Sequence, residues 1–532
     1  MSTPIHELSI AEASALLRTR ALSPVEMTRA LLDRITQFEP QINAFIAVTA
    51  ERAMADAQRA EGEILRGKWK GPLHGVPYGL KDMYNTAGIA TTAHSRVAID
   101  HVPAEDATVV ARLQNAGAVL MGKLSTYQFT HGGPSFQPPW PPARNPWNTA
   151  HEAGGSSSGS GAAVAAGFVP GTLGTDTGGS VRVPASFCGL AGLKPTFGLL
   201  SRCGVIPNSW SFDHCGPMAW TVEDCALLLQ VTAGFDPLDP SSADVAVPHY
   251  ADSLLPDLKG LRIGVVRHFW EEDIPTSEDL RQTMDYAIQV LRDLGAQVQD
   301  VRLRTPQEYY DVKNIITKSE IFCVHRRDLA GCAALFGSDF LGTTLGGSLF
   351  SAVDYVQAQR DRVRMVHEIE AVFGRVDVLL TANAGPAPRM VSRPPLNFWN
   401  APLALGSLCI PLSFTGGPAL SVCNGFSRDG LPLAMQIGGR PFDDATVLRV
   451  GHAFERATPW RERRPVLHAA GSVHPPQPAA PVPKRPPPED GLVTWLANRA
   501  GLRLTPGELS LLVAIAPYTD ASRARRWYPR DP

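Results

Sequence analysis

The sequence offers little that would tie it to a membrane, a metal or a nucleic acid. No run approaches the ~18 to 20 apolar residues that a membrane span needs. Lys and Arg number 49 against 51 Asp and Glu, a formal net charge of -2, and no dense basic stripe stands out. Neither a nucleic-acid partner nor an anionic membrane surface is therefore expected. The eight cysteines (Cys188, Cys203, Cys215, Cys225, Cys323, Cys332, Cys409 and Cys423) include no C-x-x-C pair, so a zinc or redox site has no support. Eight in so long a chain do not make a disulfide framework; they read as buried free thiols. The opening MSTPIHELSIAEASALLRTRAL lacks the charged-then-apolar layout of a signal peptide, and the expected location is the cytoplasm.

What is present is ordinary for a folded protein: 44% apolar and 19% charged residues over 532 positions. That length suggests more than one domain. Residues 7 to 66 read as helical. Ser9 can cap a helix with Ala11, Ala15 and Leu16 at helical spacing, and Ser23-Pro24 starts a second with Met27, Ala30, Leu31 and Ile35 on one face. A third runs from about Ala50 to Arg66. From Gly71 to about Gly234, short apolar runs alternate with glycine clusters and small helical stretches, which argues for α/β architecture. Residues 261 to 267, 376 to 381 and the run from Pro418 read as strands. Residues 280 to 294 and most of 308 to 373 read as helices.

Residues 471 to 490 carry the proline-dense run HPPQPAAPVPKRPPPED, which can neither continue a helix nor sit in a central strand. It reads as an extended linker. Three parts follow: 1–470 as the main domain, 471–490 as linker, and 491–532 as a small helical appendage.

The chemistry concentrates between Gly154 and Ser180. The stretch opens with GGSSSGS, residues 154 to 160, and closes with GTDTGGS, residues 174 to 180. Glycines permit conformations in which N–H groups converge, as a tetrahedral oxyanion requires. Upstream, Lys81 directly follows the apolar run GVPYGL. On the surface it would merely snorkel; buried, it would lose its charge more readily and could serve as a base near neutral pH. A serine nucleophile needs such a base within hydrogen-bond reach, and Ser-Lys is one attested variant of the serine-histidine arrangement.

The segments GLKD, GGSSSGS, GTDTGGSVRVPASFCGLAGLKPT and GLPLAMQIGGRPFDD together resemble the amidase-signature family, in order, from roughly residue 5 to residue 465. Ser156 and Ser180 stand 24 positions apart, as in the family. The resemblance implies an α/β fold with a large mixed sheet flanked by helices on both faces. It implies Ser180 as nucleophile, Ser156 as the bridging serine behind a cis peptide, and Lys81 as general base. Thr177, Gly178, Gly179 and Ser180 would supply oxyanion-hole N–H groups, with Ser157, Asp176 and Arg182 supporting the site. The implied activity is hydrolysis of a non-peptide amide or related C–N acyl bond (primary amide, anilide, carbamate or ureide). No metal or cofactor is implied.

The segment Leu124 to Asn148 departs from relatives that act as transfer-RNA amidotransferase subunits, which tend to carry a T-N-M-D-E-F-like acidic run there. Here Tyr127, Phe129, Phe136 and Trp140 lie beside prolines. The segment is either a proline-stiffened loop or an aromatic rim for a bulky acyl or aryl group, with Tyr127, Phe129 and Trp140 as the pocket candidates. The departure favours a free-standing hydrolase over an amidotransferase-type subunit that works in a complex. Phe322, His325 and Phe340 could line a pocket or simply pack helices. An esterase of the α/β-hydrolase class is the other rival, since GSSSG satisfies G-x-S-x-G with Ser157 as nucleophile; the residues before it carry no strand signal. The appendage weakly resembles the short helical accessory subunits of some amidases. It could dock near the site, cap the core or mediate a homo-oligomer.

Overall fold

The computed structural model describes residues 3–134, 136, 139–274, 276–392, 408–468, 477–478 and 490–524. Eleven strands form one mixed sheet: β1 (Phe45–Val48), β2 (Pro77–Lys81), β3 (Val119–Leu124), β4 (Gly171–Asp176), β5 (Ala191–Lys194), β6 (His214–Ala219), β7 (Arg262–Val265), β8 (Gln297–Asp300), β9 (Val378–Ala382), β10 (Ala419–Phe426) and β11 (Pro432–Gly439). Their spatial order is β1-β3-β2-β4-β6-β5-β10-β11-β9-β7-β8. Helices flank the sheet, in agreement with the α/β fold read from the sequence.

Burial follows position in the sheet. Every residue of β2, β3, β4, β5, β6, β9 and β11 is buried, whereas the edge strands β1 and β8 are largely open. Strands covered on both faces need unbroken apolar or hydrogen-bonded side chains, which explains why the central strands showed no strict alternation. Two pairings set the site. β2 runs parallel to β4, with Leu80 opposite Leu173. β4 runs antiparallel to β6, with Asp176 opposite His214.

The helical reading of residues 7 to 66 needs two corrections. Strand β1 interrupts it, pairing antiparallel with β3. The first helix, Ile10–Thr19, is capped by a Ser9–Glu12 capping box, but it buries Ile10, Ala13, Ser14 and Leu17. The stripe thus starts one residue before the Ala11, Ala15, Leu16 set, because Ile10 and Leu17 are the larger apolar anchors. The second helix, Pro24–Ile42, does bury Met27, Leu31 and Ile35. All eight cysteines are free, and Cys188, Cys215, Cys225 and Cys409 are buried while Cys323 is exposed.

Apart from 477, 478 and 490, the expected linker lies outside the described residues. Residues 391–392 pair in parallel with 477–478. The appended helices, Asp490–Arg499 and Pro506–Ala524, are not free-standing. Val493, Ala497, Leu502, Leu512 and Ile515 share one apolar cluster with Ile321, Phe322, Phe340, Leu345 and Leu349. Arg326 Nε donates to the Ala500 carbonyl at 3.1 Å. Among the described residues, these apolar side chains of the appendage pack within the chain. Among the described residues, no helix is long and apolar enough to cross a membrane.

Candidate active site

Lys81 ends β2 and is 0% exposed. The parallel register with β4, in which Leu80 faces Leu173, brings its side chain within reach of Thr175, two residues further along β4. Its Nζ lies 2.8 Å from Thr175 Oγ1, 2.8 Å from Ser156 Oγ and 3.0 Å from Ser157 Oγ. Among the described residues, no carboxylate touches it. Burial lowers its pKa to about 7, against the weaker opposing pull of Asp176 and Asp213. A lysine here therefore has an appreciable uncharged fraction at neutral pH.

Ser156 and Ser157 lead into helix Ser158–Ala165, and the Gly155–Ser156 peptide is cis. Ser157 donates its hydroxyl to the Thr175 carbonyl at 3.2 Å. That leaves its lone pairs to receive from Lys81. A neutral amine has two N–H groups and one lone pair. With Ser157 and Thr175 accepting, the lone pair is left for the Ser156 hydroxyl. Ser157 is 0% exposed and so cannot stand at the tip of a nucleophile elbow. The strand preceding it, Asn148–Glu152, belongs to a separate two-stranded hairpin. The esterase arrangement is not formed.

Ser180 lies between β4 and helix Arg182–Cys188, and its carbonyl accepts from Ser157 N at 3.2 Å. It is partly exposed, unlike Ser156 and Ser157, which are buried. Among the described residues its hydroxyl makes no hydrogen bond. The loop before it is held by a buried ion pair. Arg182 Nε and Nη2 each donate to Asp176 at 3.0 Å, and Arg182 also reaches the Cys409 carbonyl, Gln436 Oε1 and Ser413 Oγ. Burial would raise the Asp176 carboxyl, but the Arg182 guanidinium and the Gly179 amide hold it well below the usual carboxylate range.

One oxyanion candidate changes status. The Gly179 N–H donates to Asp176 Oδ1 at 2.7 Å and is not directed at a substrate. The amides of Thr177, Gly178 and Ser180 carry no hydrogen bond among the described residues. Gly179 has φ +123°, and a methyl there would come within 2.9 Å of Cys409 Cβ, so the position requires glycine. Thr177 is fixed through Oγ1, which donates to Asp213 at 2.6 Å.

The three aromatic pocket candidates separate. Tyr127 packs on Gly155, where any added side chain would meet its ring, and its N–H donates to the Ser156 carbonyl at 3.1 Å. Phe129 is not a rim residue: it is buried among His325, Phe336 and Phe340, because an aromatic cluster excludes more water from the ring than an open loop would. Phe322, His325 and Phe340 belong to that same packing. Trp140 stacks edge-on against His94, 5.6 Å away. A cavity of about 240 Å³ is lined by Thr130, Thr175, Asn208, Asp213 and His214, among others, and by none of the three candidates.

The Amidase family model matches residues 26–448. The chain belongs to the amidase family. A glutamyl-tRNA(Gln) amidotransferase subunit from Chloroflexus aggregans is 41% identical over 496 residues, 88% of this chain and 100% of that protein. A solved structure reported as a vestigial protein complex that reveals the evolutionary origins of an s-triazine catabolic enzyme superposes with a TM-score of 0.78 at 33% identity, covering 84% of this chain and 98% of that one. The native peptide amidase of Stenotrophomonas maltophilia superposes with a TM-score of 0.75 at 28% identity, covering 87% and 99%. Sequence reasoning missed several members of this amidase-family site. Thr175 sits inside the GTDTGGS motif and Gln436 inside GLPLAMQIGG, so both were in view without a role. Cys409 and Asp213 join only through folding.

Proposed function

We propose that this chain cleaves the C–N acyl bond of a small amide through an acyl-enzyme on Ser180. The observation that carries the reading is Lys81: fully buried, with its pKa lowered to about 7, and 2.8 Å from Ser156 Oγ. Ser180 Oγ attacks the acyl carbon while its proton passes to Ser156, whose own proton passes to the Lys81 amine. The carbonyl oxygen becomes an oxyanion facing the Thr177, Gly178 and Ser180 amides, each such donor being worth ~3 to 4 kcal/mol. The C–N bond then breaks, the relay returns a proton to the leaving nitrogen, and water releases the acid by the reverse path.

A second reading concerns where the nitrogen goes. The 41% identity to an amidotransferase component spans 88% of the chain and favours a subunit that works beside protein partners, with the released nitrogen passed on. The comparisons support this setting more than the free-standing hydrolase that the Leu124–Asn148 segment suggested. The test is ammonia release from a panel of primary amides, ureides and carbamates by the purified chain, with Ser180→Ala as control. Release by the chain alone supports the hydrolase. Release that requires co-purifying proteins supports the multi-protein setting. Release that survives in Ser180→Ala refutes both.

A further inference from the structure

The helix Pro306–Cys332 meets the nucleophile loop with a lysine. A methyl group built on Gly178 would lie 2.8 Å from Lys313 Cε and 2.9 Å from its Nζ. The ammonium therefore stands against the backbone two residues before Ser180. Lys313 is partly exposed. Its Nζ reaches Thr317 Oγ1 at 3.2 Å and lies 5.5 Å from the centroid of the Phe212 ring, over which the Arg362 guanidinium also sits at 4.3 Å.

The nearby carboxylates are committed elsewhere. Asp213 accepts from Thr177 Oγ1 and from the Asn208 and Ser209 amides. Asp176 is held by Arg182. Glu320 accepts from Ser209, Ser211 and Tyr355. Among the described residues, neither Lys313 nor Arg362 has an ion-pair partner. Burial lowers Lys313 to about 8, opposed by Asp213 first, so the amine remains mostly charged at pH 7. A partly buried cation without a counter-ion is costly unless an anion joins it.

We propose that Lys313 binds a carboxylate that the substrate carries within a few bonds of its scissile carbonyl, which makes the substrates small amides of acid-bearing compounds. This rests on Ser180 acyl-enzyme chemistry. The experiment compares kcat/KM for succinamate and for butyramide, its neutral counterpart, in the wild type and in Lys313→Met. Labelling of Ser180 by a fluorophosphonate serves as the control for the site itself. The wild type should prefer succinamate. The substitution should lower kcat/KM for succinamate about 10- to 100-fold more than for butyramide, as expected for loss of a charge-assisted contact, and mainly through KM. Lys313→Arg should restore part of the preference. Equal losses on both substrates, or none, would overturn the proposal while leaving the Ser180 chemistry standing. An unlabelled Ser180 in the wild type would overturn both. If Lys313→Met does not fold, protection settles the matter: in the wild type, succinamate should slow fluorophosphonate labelling at concentrations where butyramide does not, and equal protection would refute the proposal.

Discussion

Lys81 sits among three hydroxyls, and the count of its protons decides what it can do. As an ammonium it would donate to Ser156, Ser157 and Thr175 together; as an amine it has room to accept from one. The acylation rate should therefore rise as pH increases through about 7, the value to which burial lowers this lysine, because the base acts in its deprotonated form. Pre-steady-state kinetics across that range would show the midpoint. Ser157→Ala removes one acceptor and the link to the Thr175 carbonyl. Turnover should fall by roughly 10²- to 10³-fold through misplacement of the amine, with the fold retained by circular dichroism. The meeting of Lys81 and Ser156 was legible because both lie in the motifs that carry the amidase resemblance. The occupation of the Gly179 amide was not, since it depends on where the Asp176 side chain turns.

At the scale of elements, the unit is β4, the loop of residues 177–181 and helix Arg182–Cys188. The loop carries its three available amides because Asp176 fastens Gly179 and Val181 from inside, while Arg182 neutralises that carboxylate. Arg182→Met would leave a buried carboxylate unpaired and should destabilise the protein by ~3 to 5 kcal/mol in denaturant unfolding. The same pair gives an acid dependence. Asp176 is held below its unfolded value, so its contribution is complete above the ordinary carboxylate range and is lost as pH falls toward its folded value. The strand pattern was legible in β7, β9 and β10, whose runs are apolar and bounded by breakers. The edge strand β1 was not, because FIAV is four residues between two helices and owes its conformation to pairing with β3.

At the scale of the molecule, the C-terminal helices and the helices of residues 306–349 share one apolar cluster. A proline-rich run marked a boundary in the sequence, yet packing continues across it. Leu512 is 0% exposed in that cluster. Leu512→Asp should undock the appendage and speed amide hydrogen exchange in helix Pro306–Cys332, while exchange in β2 and β4 stays slow. Lys313 lies on that same helix, far in sequence from every motif, and only the tertiary fold sets it against Gly178.

The most direct test is to label the protein with a fluorophosphonate over a pH series and map the adduct by peptide mass spectrometry, in the wild type and in Lys81→Met. The expected result is an adduct on Ser180 whose rate of formation rises through about pH 7, with that rate and its pH dependence lost in Lys81→Met. An adduct on Ser157, or labelling of Ser180 that proceeds equally well without Lys81, would contradict it.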